Sequence, residues 1–186
     1  DVSDKGAVAE AIKSLPSNFR NIDILVNNAG NAHGFGSVAD GVLADWDAMM
    51  DSNVSGLLYV TKAVLPGMIE RGAGHVVNLS SVAGKQTYAN GAVYCATKKA
   101  VEAISEGIRL DHTQHGIKVT NIAPGAVETE FSEVRFKGDK EKAKSVYAGF
   151  EPLVAEDIAD AIAYAVSVPD HVTIADMTIY AKAQAA

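Results

Sequence analysis

The feature that most constrains the fold is an alternation of short apolar runs with longer segments of helical period. Runs of strand length occur at residues 22–27, 75–79 and 117–122, and each is rich in Val, Ile or Leu. Residues 45–70 and 92–114 lie between these runs and repeat apolar side chains at the spacing of one helix face. Apolar strands separated by helices predict a parallel sheet covered on both faces. The predicted fold class is therefore α/β, with a doubly wound parallel sheet.

The remaining elements extend this pattern toward both ends of the chain. Helices are predicted at 4–15, 139–149 and 155–166, and a last strand at 172–180. Asp45 is predicted to cap the first long helix, and Gly72 to end it. In a parallel sheet the carboxyl ends of the strands lie along one edge, outside which ligands bind. We therefore expect residues 27–30, 80–81 and 124–125, which follow the three strands, to meet at a ligand site.

Composition and charge exclude several kinds of partner and site. The 186 residues fit one domain, and 23 acidic against 16 basic residues give a formal charge of −7. Nucleic acid and anionic membranes repel an anionic chain that has no basic stripe, so neither partner is expected. No segment has the ~20 apolar residues that a membrane helix needs. Cys95 is the single cysteine and the histidines lack metal-binding spacing, so we expect no disulfide, no metal and a cytoplasmic location.

A tyrosine and a lysine stand four residues apart on the second long helix. Tyr94 and Lys98 therefore share one face, and the ammonium group is expected to lower the pKa of the phenol. Ser81 follows the strand at 75–79, and its hydroxyl can hydrogen-bond an oxygen that the phenol protonates. Taken alone, such a pair is usually a packed ring beside a solvated cation, and such a serine usually belongs to a turn. The combination indicates acid–base chemistry on a hydroxyl or carbonyl group.

Four motifs occur in the order and spacing of one enzyme family. They are Asn-Asn-Ala-Gly at 27–30, Asn53 in the first long helix, Ser81, and the Tyr94–Lys98 pair. With them the chain resembles the short-chain dehydrogenase/reductase family over nearly its whole length. The resemblance implies a Rossmann-like fold and NAD(P)-dependent hydride transfer, with Tyr94 as catalytic acid and base and Ser81 orienting the substrate oxygen. It also implies that Lys98 lowers the Tyr94 pKa and holds the nicotinamide ribose, and that Asn53 positions a water for proton relay.

The same resemblance assigns a set of residues to the cofactor. Asp1 and Val2 look like the pair that ends the family's third strand and touches the adenine. Residues 124–129 resemble the loop that holds the nicotinamide carboxamide, and Gly30 lets the backbone approach closely. The cofactor-binding residues predicted in this way are Asp1, Val2, Asn28, Ala29, Gly30, Tyr94, Lys98, Pro124, Gly125, Val127 and Thr129.

A narrower resemblance concerns residues 22–30, 63–68 and 127–139. These segments are similar to the NADP-dependent 3-hydroxy acid dehydrogenases that act on serine and allo-threonine, and 172–184 is most similar to their fungal branch. The resemblance implies NADP as cofactor, with NAD as an alternative, a small 3-hydroxy acid as substrate, and a homotetramer.

The predicted substrate site consists of Ser81, Tyr94 and Arg135. A substrate carboxylate needs a cation, and Arg135 is the candidate because a guanidinium group pairs with a carboxylate through two hydrogen bonds. A solvated loop arginine and a contact between subunits are the alternative interpretations of Arg135.

The family's opening strands and glycine-rich phosphate turn have no counterpart in these residues. Residues 1–186 are therefore expected to form the C-terminal part of one Rossmann-like domain of a longer protein. The letters G-x-G-x-x-A at 34–39 do not follow a strand, and we interpret them as a loop over the site. Two alternative functions remain open: a carbonyl reductase of other substrates, and a truncated, non-catalytic subunit that oligomerises.

Overall fold

The strands pair in one parallel sheet. The computed structural model describes residues 1–184, and residues 185 and 186, the predicted end of the domain, lie outside the described residues. Within residues 1–184 the sheet has the order β1 (Ile24–Asn27), β2 (Gly74–Leu79), β3 (Ile117–Pro124) and β4 (Asp176–Ile179). All three pairings are parallel, so each connection crosses over through at least one helix. The predicted α/β class is confirmed.

The helices agree with the predicted ones, except that some begin or end at other residues and that two short helices were not predicted. They are α1 (Lys5–Lys13), α2 (Leu43–Met50), α3 (Leu57–Arg71), α4 (Val82–Lys85), α5 (Ala92–His112), α6 (Phe131–Arg135), α7 (Lys140–Ser145) and α8 (Ala155–Ser167), with 3₁₀ turns at Ser17–Phe19 and Thr113–His115. The sequence pattern did not predict α4 or α6. A π-helical segment, Asp51–Gly56, joins α2 to α3.

The predicted start of the first long helix is wrong, and its predicted end is confirmed. The predicted cap at Asp45 is wrong, because the helix already begins at Leu43. The Asp45 carboxylate instead pairs with Lys137 at 2.8 Å, which ties α2 to the segment after α6. Gly72 ends α3 in the left-handed conformation, with φ of 68°, as predicted.

Alternate residues along β2 and β3 face opposite helix layers. On one face, Val76 and Val119 pack against Met68 of α3, together with side chains from α1 and α5. On the other face, Val77 packs in a separate cluster that contains Ile158 of α8. Helices therefore cover both faces of the two central strands, which is the doubly wound arrangement.

β1 lies at one edge of the sheet and is covered on one face only. Leu25 packs into the same cluster as α3. Ile24 and Val26 point to the opposite face and are 47% and 40% exposed. The predicted covering of both faces therefore holds for β2 and β3 but not for β1.

A row of asparagines crosses three strands near their carboxyl ends. Asn27, Asn78 and Asn121 are register partners on β1, β2 and β3. The Asn27 amide donates to Asn78 Oδ1 at 2.8 Å and to Thr61 Oγ1 at 2.9 Å, and the Asn78 amide donates to Ser105 Oγ at 2.9 Å. Because buried amides must be hydrogen-bonded, the Asn27–Asn78 bond fixes the register of β1 against β2, whereas the Asn121 amide donates to Asp176 on β4 at 2.7 Å. Because the strands are parallel, their carboxyl ends point to the same edge of the sheet, and the residues that follow them meet there.

Candidate active site

Ser81, Tyr94 and Lys98 come together beyond the carboxyl end of β2. Ser81 caps α4 by accepting a hydrogen bond from the Ala83 N–H at 3.1 Å. Tyr94 and Lys98 lie one turn apart on α5, and both are buried. The Lys98 ammonium donates to the backbone oxygen of Leu79, the last residue of β2, at 2.9 Å. The strand end thus holds the lysine in place while the helix presents the tyrosine beside it.

Burial dominates the titration of the Tyr94–Lys98 pair. Desolvation of the phenolate raises the pKa of Tyr94, and the nearby Ser81 hydroxyl opposes that shift. The expected lowering of this pKa by Lys98 is wrong, because the ammonium lies 6.0 Å from the ring centre and is itself desolvated. Burial lowers the pKa of Lys98 to about 8. At neutral pH Tyr94 is therefore protonated, the form that donates a proton to a carbonyl oxygen.

Asn53 lies in the π-helical segment, and both the oxygen and the nitrogen of its side-chain amide are hydrogen-bonded. Its Oδ1 accepts from the Asn31 N–H at 2.8 Å, and its Nδ2 donates to the Asn31 backbone oxygen at 2.8 Å and to Thr97 Oγ1 at 3.0 Å. A Cβ atom at Gly30 would lie 3.0 Å from Asn53 Oδ1 and 3.4 Å from Lys98 Nζ. Gly30 therefore lets the backbone pass close to both side chains. Local π turns recur at functional sites, and this one places Asn53 behind the Tyr94–Lys98 face.

One cavity of about 1370 Å³ opens at this edge of the sheet, beneath α6, α7 and α8. The predicted site residues that line it are Asn28, Gly30, Ser81, Tyr94, Lys98, Pro124, Gly125, Val127, Thr129 and Arg135. Asn53 lies behind Gly30 and does not form part of the wall. Asp1, Val2 and Ala29 do not line the cavity either, so their cofactor roles stay predictions.

The loop after β3 is held against the cavity by several hydrogen bonds. The Gly125 N–H donates to the Ile179 backbone oxygen at 2.7 Å, and the Ala126 N–H donates to Gln184 Oε1 at 2.9 Å. The Tyr147 hydroxyl donates to the Val127 backbone oxygen at 3.0 Å and also bonds Ser132 at 2.7 Å. Tyr147 thereby links the helical cover of the cavity to this loop.

Arg135 lies at the end of α6 and reaches the Tyr94 ring. Its guanidinium carbon is 5.3 Å from the Tyr94 ring centre, and its Nη2 donates to the Tyr88 hydroxyl at 2.6 Å. The Thr129 hydroxyl accepts from the Phe131 N–H at 3.3 Å at the start of the same helix. Arg135 is thus half-buried beside the predicted proton donor, with its charge at the cavity wall.

The structure adds residues that sequence reasoning did not find. Asn31 and Thr97 hold Asn53, and Phe35 and Tyr88 surround Arg135. Asn31 directly follows the Asn-Asn-Ala-Gly motif, which is a signal that could have been used. Phe35 and Tyr88 lie in segments without periodicity, so the sequence offered no signal for them.

Neither a metal centre nor a membrane span is formed by residues 1–184. No three His, Cys, Asp or Glu side chains in this part of the chain lie close enough to hold an ion. None of its helices combines the length and the hydropathy needed to cross a bilayer.

Comparison with protein-family models identifies the group to which this site belongs. The model described as short chain dehydrogenase matches residues 1–140. The chain belongs to the short-chain dehydrogenase family. The predicted family, and with it an oxidoreductase activity, is thereby confirmed.

Individual members of the short-chain dehydrogenase family are similar over almost the whole chain. The NADP-dependent 3-hydroxy acid dehydrogenase of Salmonella typhi is 47% identical over 94% of this chain and 71% of its own length. A protein of the same name from Schizosaccharomyces pombe is 42% identical over 99% of this chain and 71% of its own length. The closed form of a serine dehydrogenase complexed with NADP⁺ superposes with a TM-score of 0.98 and 44% identity, covering all of this chain and 75% of that one. The narrower resemblance to NADP-dependent 3-hydroxy acid dehydrogenases is confirmed.

The cavity suits the nicotinamide cofactor that a short-chain dehydrogenase uses. Pockets for a single small ligand typically measure ~300–1,000 Å³, and this cavity measures about 1370 Å³. It therefore has room for the nicotinamide end of a dinucleotide together with a small substrate. At the wall of this cavity the Cβ position of Gly30 lies 3.4 Å from Lys98 Nζ, so exposed backbone and a cation lie side by side.

Proposed function

We propose that the chain is an NADP-dependent dehydrogenase of small 3-hydroxy acids, of the kind represented by serine, L-allo-threonine and 3-hydroxypropionate. The observation that carries this proposal is the position of Arg135, whose guanidinium carbon lies 5.3 Å from the Tyr94 ring centre. A cation for a carboxylate and a proton donor for an oxygen thus lie within the length of one small molecule. Relatives named for NADP and for 3-hydroxy acids, similar over 94% and 99% of this chain, support the same substrate class.

In the proposed reaction Ser81, Tyr94 and Arg135 bind the substrate. Arg135 holds the carboxylate, and the Ser81 hydroxyl donates to the oxygen on C3. Oxidation proceeds from the small fraction of enzyme in which Tyr94 is ionised, and there the proton of the C3 hydroxyl passes to the Tyr94 oxygen. The C3–H bond breaks with its electron pair leaving as hydride, and the C3–O bond becomes a carbonyl. NADP, when bound, is the hydride acceptor. In the reverse direction protonated Tyr94 returns the proton to the carbonyl oxygen.

Lys98 and Asn53 support the proton transfer. The Lys98 ammonium, one turn from Tyr94 and held by the backbone oxygen of Leu79, would hold the ribose hydroxyls of the cofactor. Asn53 fixes the backbone of Asn31 beside Gly30, and we assign it the positioning of a water that relays protons to Lys98. We also propose that the cofactor contacts the set predicted from the sequence: Asp1, Val2, Asn28, Ala29, Gly30, Pro124, Gly125, Val127 and Thr129.

We further propose a cytoplasmic homotetramer whose subunits pack through α3 and α5. Leu58 on α3 and Leu110 on α5 are 43% and 67% exposed, which leaves apolar surface on both long helices. The free, buried Cys95 fits a reducing compartment. The single four-stranded sheet of residues 1–184 supports one domain. Light scattering coupled to gel filtration measures the oligomeric state directly.

The catalytic assignment is tested with the protein expressed from the complete reading frame that encodes these residues. The absorbance of NADPH is followed with L-serine, L-allo-threonine and 3-hydroxypropionate, and with NAD in place of NADP. Tyr94→Phe removes the proton donor, and we expect kcat to fall by about 10²–10⁴-fold. Tyr164→Phe is the matched control, because Tyr164 is 61% exposed on α8.

The three other outcomes each point to a different conclusion. Turnover of ketones but of none of the three acids supports a carbonyl reductase of other substrates. No turnover with NADP or NAD supports a non-catalytic subunit. Full activity of the Tyr94→Phe enzyme contradicts the assigned role of Tyr94.

A further inference from the structure

Three aromatic rings surround the Arg135 guanidinium group. Its carbon lies 5.1 Å from the ring centre of Phe35 and 5.3 Å from those of Tyr88 and Tyr94. Phe35 and Tyr88 are stacked, with ring centres 6.4 Å apart and planes inclined by 20°. The faces of aromatic rings attract a guanidinium cation, so these three rings hold the group without neutralising it.

The charge of Arg135 has no acidic partner within residues 1–184. No carboxylate in this part of the chain forms a salt bridge with Arg135, and the hydrogen bond to the Tyr88 hydroxyl is made by Nη2. Burial raises the pKa of Tyr88 even though Arg135 opposes the shift, so the Tyr88 hydroxyl is uncharged at neutral pH. Arg135 Nε is buried and bonds to no atom of these residues. A buried donor of this kind favours a ligand that brings an acceptor oxygen.

Neighbouring backbone keeps the two outer rings in place. The Gly34 N–H donates to the Arg135 backbone oxygen at 3.0 Å, and the Gly36 N–H donates to the Asn90 backbone oxygen at 3.2 Å. Phe35 is therefore fixed between α6 and the turn that carries Tyr88. A Cβ atom at Gly91 would overlap the Tyr88 ring, which shows how closely that ring packs on the backbone.

We infer that Tyr88 and Phe35 are specificity-determining residues that position the Arg135 guanidinium for a substrate carboxylate. The inference rests on the proposed function, because it concerns the same substrate site. Tyr88 fixes one nitrogen of the guanidinium through a hydrogen bond, and the stacked rings restrict its plane. The remaining donors are then oriented toward the cavity side of the guanidinium group, beside Tyr94. The enzyme consequently prefers 3-hydroxy acids over uncharged 3-hydroxy compounds of the same size.

The test compares 3-hydroxypropionate with its methyl ester, which keeps the C3 hydroxyl and lacks the charge. The measured quantity is the ratio of kcat/KM for the acid to kcat/KM for the ester, in the enzyme from the complete reading frame with NADP. Arg135→Gln is expected to lower this ratio by about 100-fold, the range of a charge-assisted hydrogen-bonded pair. Tyr88→Phe keeps the ring and removes the hydrogen bond, and is expected to lower it by about 3–10-fold. Phe35→Leu is expected to lower it by about 2–5-fold.

In the Tyr88→Phe and Phe35→Leu enzymes the expected losses lie in KM for the acid rather than in kcat, and they are larger for the acid than for the ester. A merely structural role would lower turnover of acid and ester together, and that result would overturn the inference. Phe35 is 51% exposed, so the Phe35→Leu enzyme tests the inference even if a change at Tyr88 impairs folding. Tyr164→Phe again serves as the matched control.

The inference and the proposed function fail in different ways. If Arg135→Gln lowers the ratio while Tyr88→Phe and Phe35→Leu leave it unchanged, the inference is overturned and the proposed function stands. If the parent enzyme shows no preference for the acid, both are overturned. Losses of the ratio in all three variants support both.

Discussion

The buried histidine on β2 leads to a prediction about stability against acid. His75 is 4% exposed, and its Nε2 lies 2.8 Å from Thr120 Oγ1 on β3. Burial, together with the nearby Lys118 charge, lowers the pKa of His75 from 6.5 to about 4. Between these two values the unfolded chain binds a proton that the folded chain does not. The free energy of unfolding therefore falls as the pH falls from about 7 to about 4.

The size of this effect follows from the two pKa values. At ~1.4 kcal/mol per pKa unit, a change from 6.5 to about 4 corresponds to about 3 kcal/mol. The double variant His75→Val/Thr120→Val removes the titrating group and replaces both hydrogen-bonding partners with residues that suit a strand. Between pH 7 and pH 4 the free energy of unfolding should fall in both proteins. We expect the fall to be about 3 kcal/mol smaller in the double variant than in the parent.

Urea unfolding at pH 7, 6, 5 and 4, at one fixed protein concentration, measures this difference. Hydrogen bonds lower the pKa values of Asp4, Asp139 and Asp176 as well, but those groups are present in both proteins and cancel. His115→Asn is the control, because His115 is exposed and its replacement should leave the pH dependence as it is in the parent. Equal pH dependence in the parent and the double variant, within about 0.5 kcal/mol, would refute the argument.

Three further predictions concern the site and its support. Burial lowers the pKa of Lys98 to about 8, so the pH profile of kcat/KM for oxidation should change slope near that value, and in Lys98→Met the slope change should vanish along with most of the activity. A Cβ atom at Gly84 would lie 2.6 Å from Ser80 Oγ; Gly84→Ala should therefore cost ~1–3 kcal/mol in urea unfolding, whereas Gly36→Ala, with no neighbour within 4 Å, should stay within ~0.5 kcal/mol of the parent. Tyr147→Phe removes the bonds to the loop after β3 and should raise KM for the substrate by about 3–10-fold with unchanged stability of the sheet; an unchanged KM in steady-state kinetics would contradict this role.

The sequence was sufficient to predict the sheet because each strand is marked by its own composition and length. β2 and β3 were predicted within two residues at each end, since both are apolar runs bounded by helices and by Gly or Pro. β4 is shorter than its predicted range of 172–180, because the alternating pattern continues beyond the residues that pair with β3. The short helices α4 and α6 span too few residues to establish a period, and no pattern could have found them.

The catalytic motif was predictable as a set of positions but not as an electrostatic environment. The helical spacing placed Tyr94 and Lys98 on one face, and the structure agrees. The direction of the Tyr94 pKa was predicted incorrectly, because spacing reveals a neighbouring charge but not the burial that outweighs it. The residues around Arg135 were missed for a similar reason, since Phe35 and Tyr88 meet only through tertiary packing.

Because a π-helical segment joins α2 to α3, the packing of these helices depends on the number of residues between them as well as on which residues they are. An α-helix turns by about 100° for each residue, so deleting one residue from Asp51–Gly56 would rotate α2 against α3 by that amount. Met49, which packs in the cluster containing Tyr94, would then leave its place, although every remaining side chain is unchanged. Single-residue insertions and deletions should therefore be rejected between α2 and α3, and accepted in the exposed turn at 37–40.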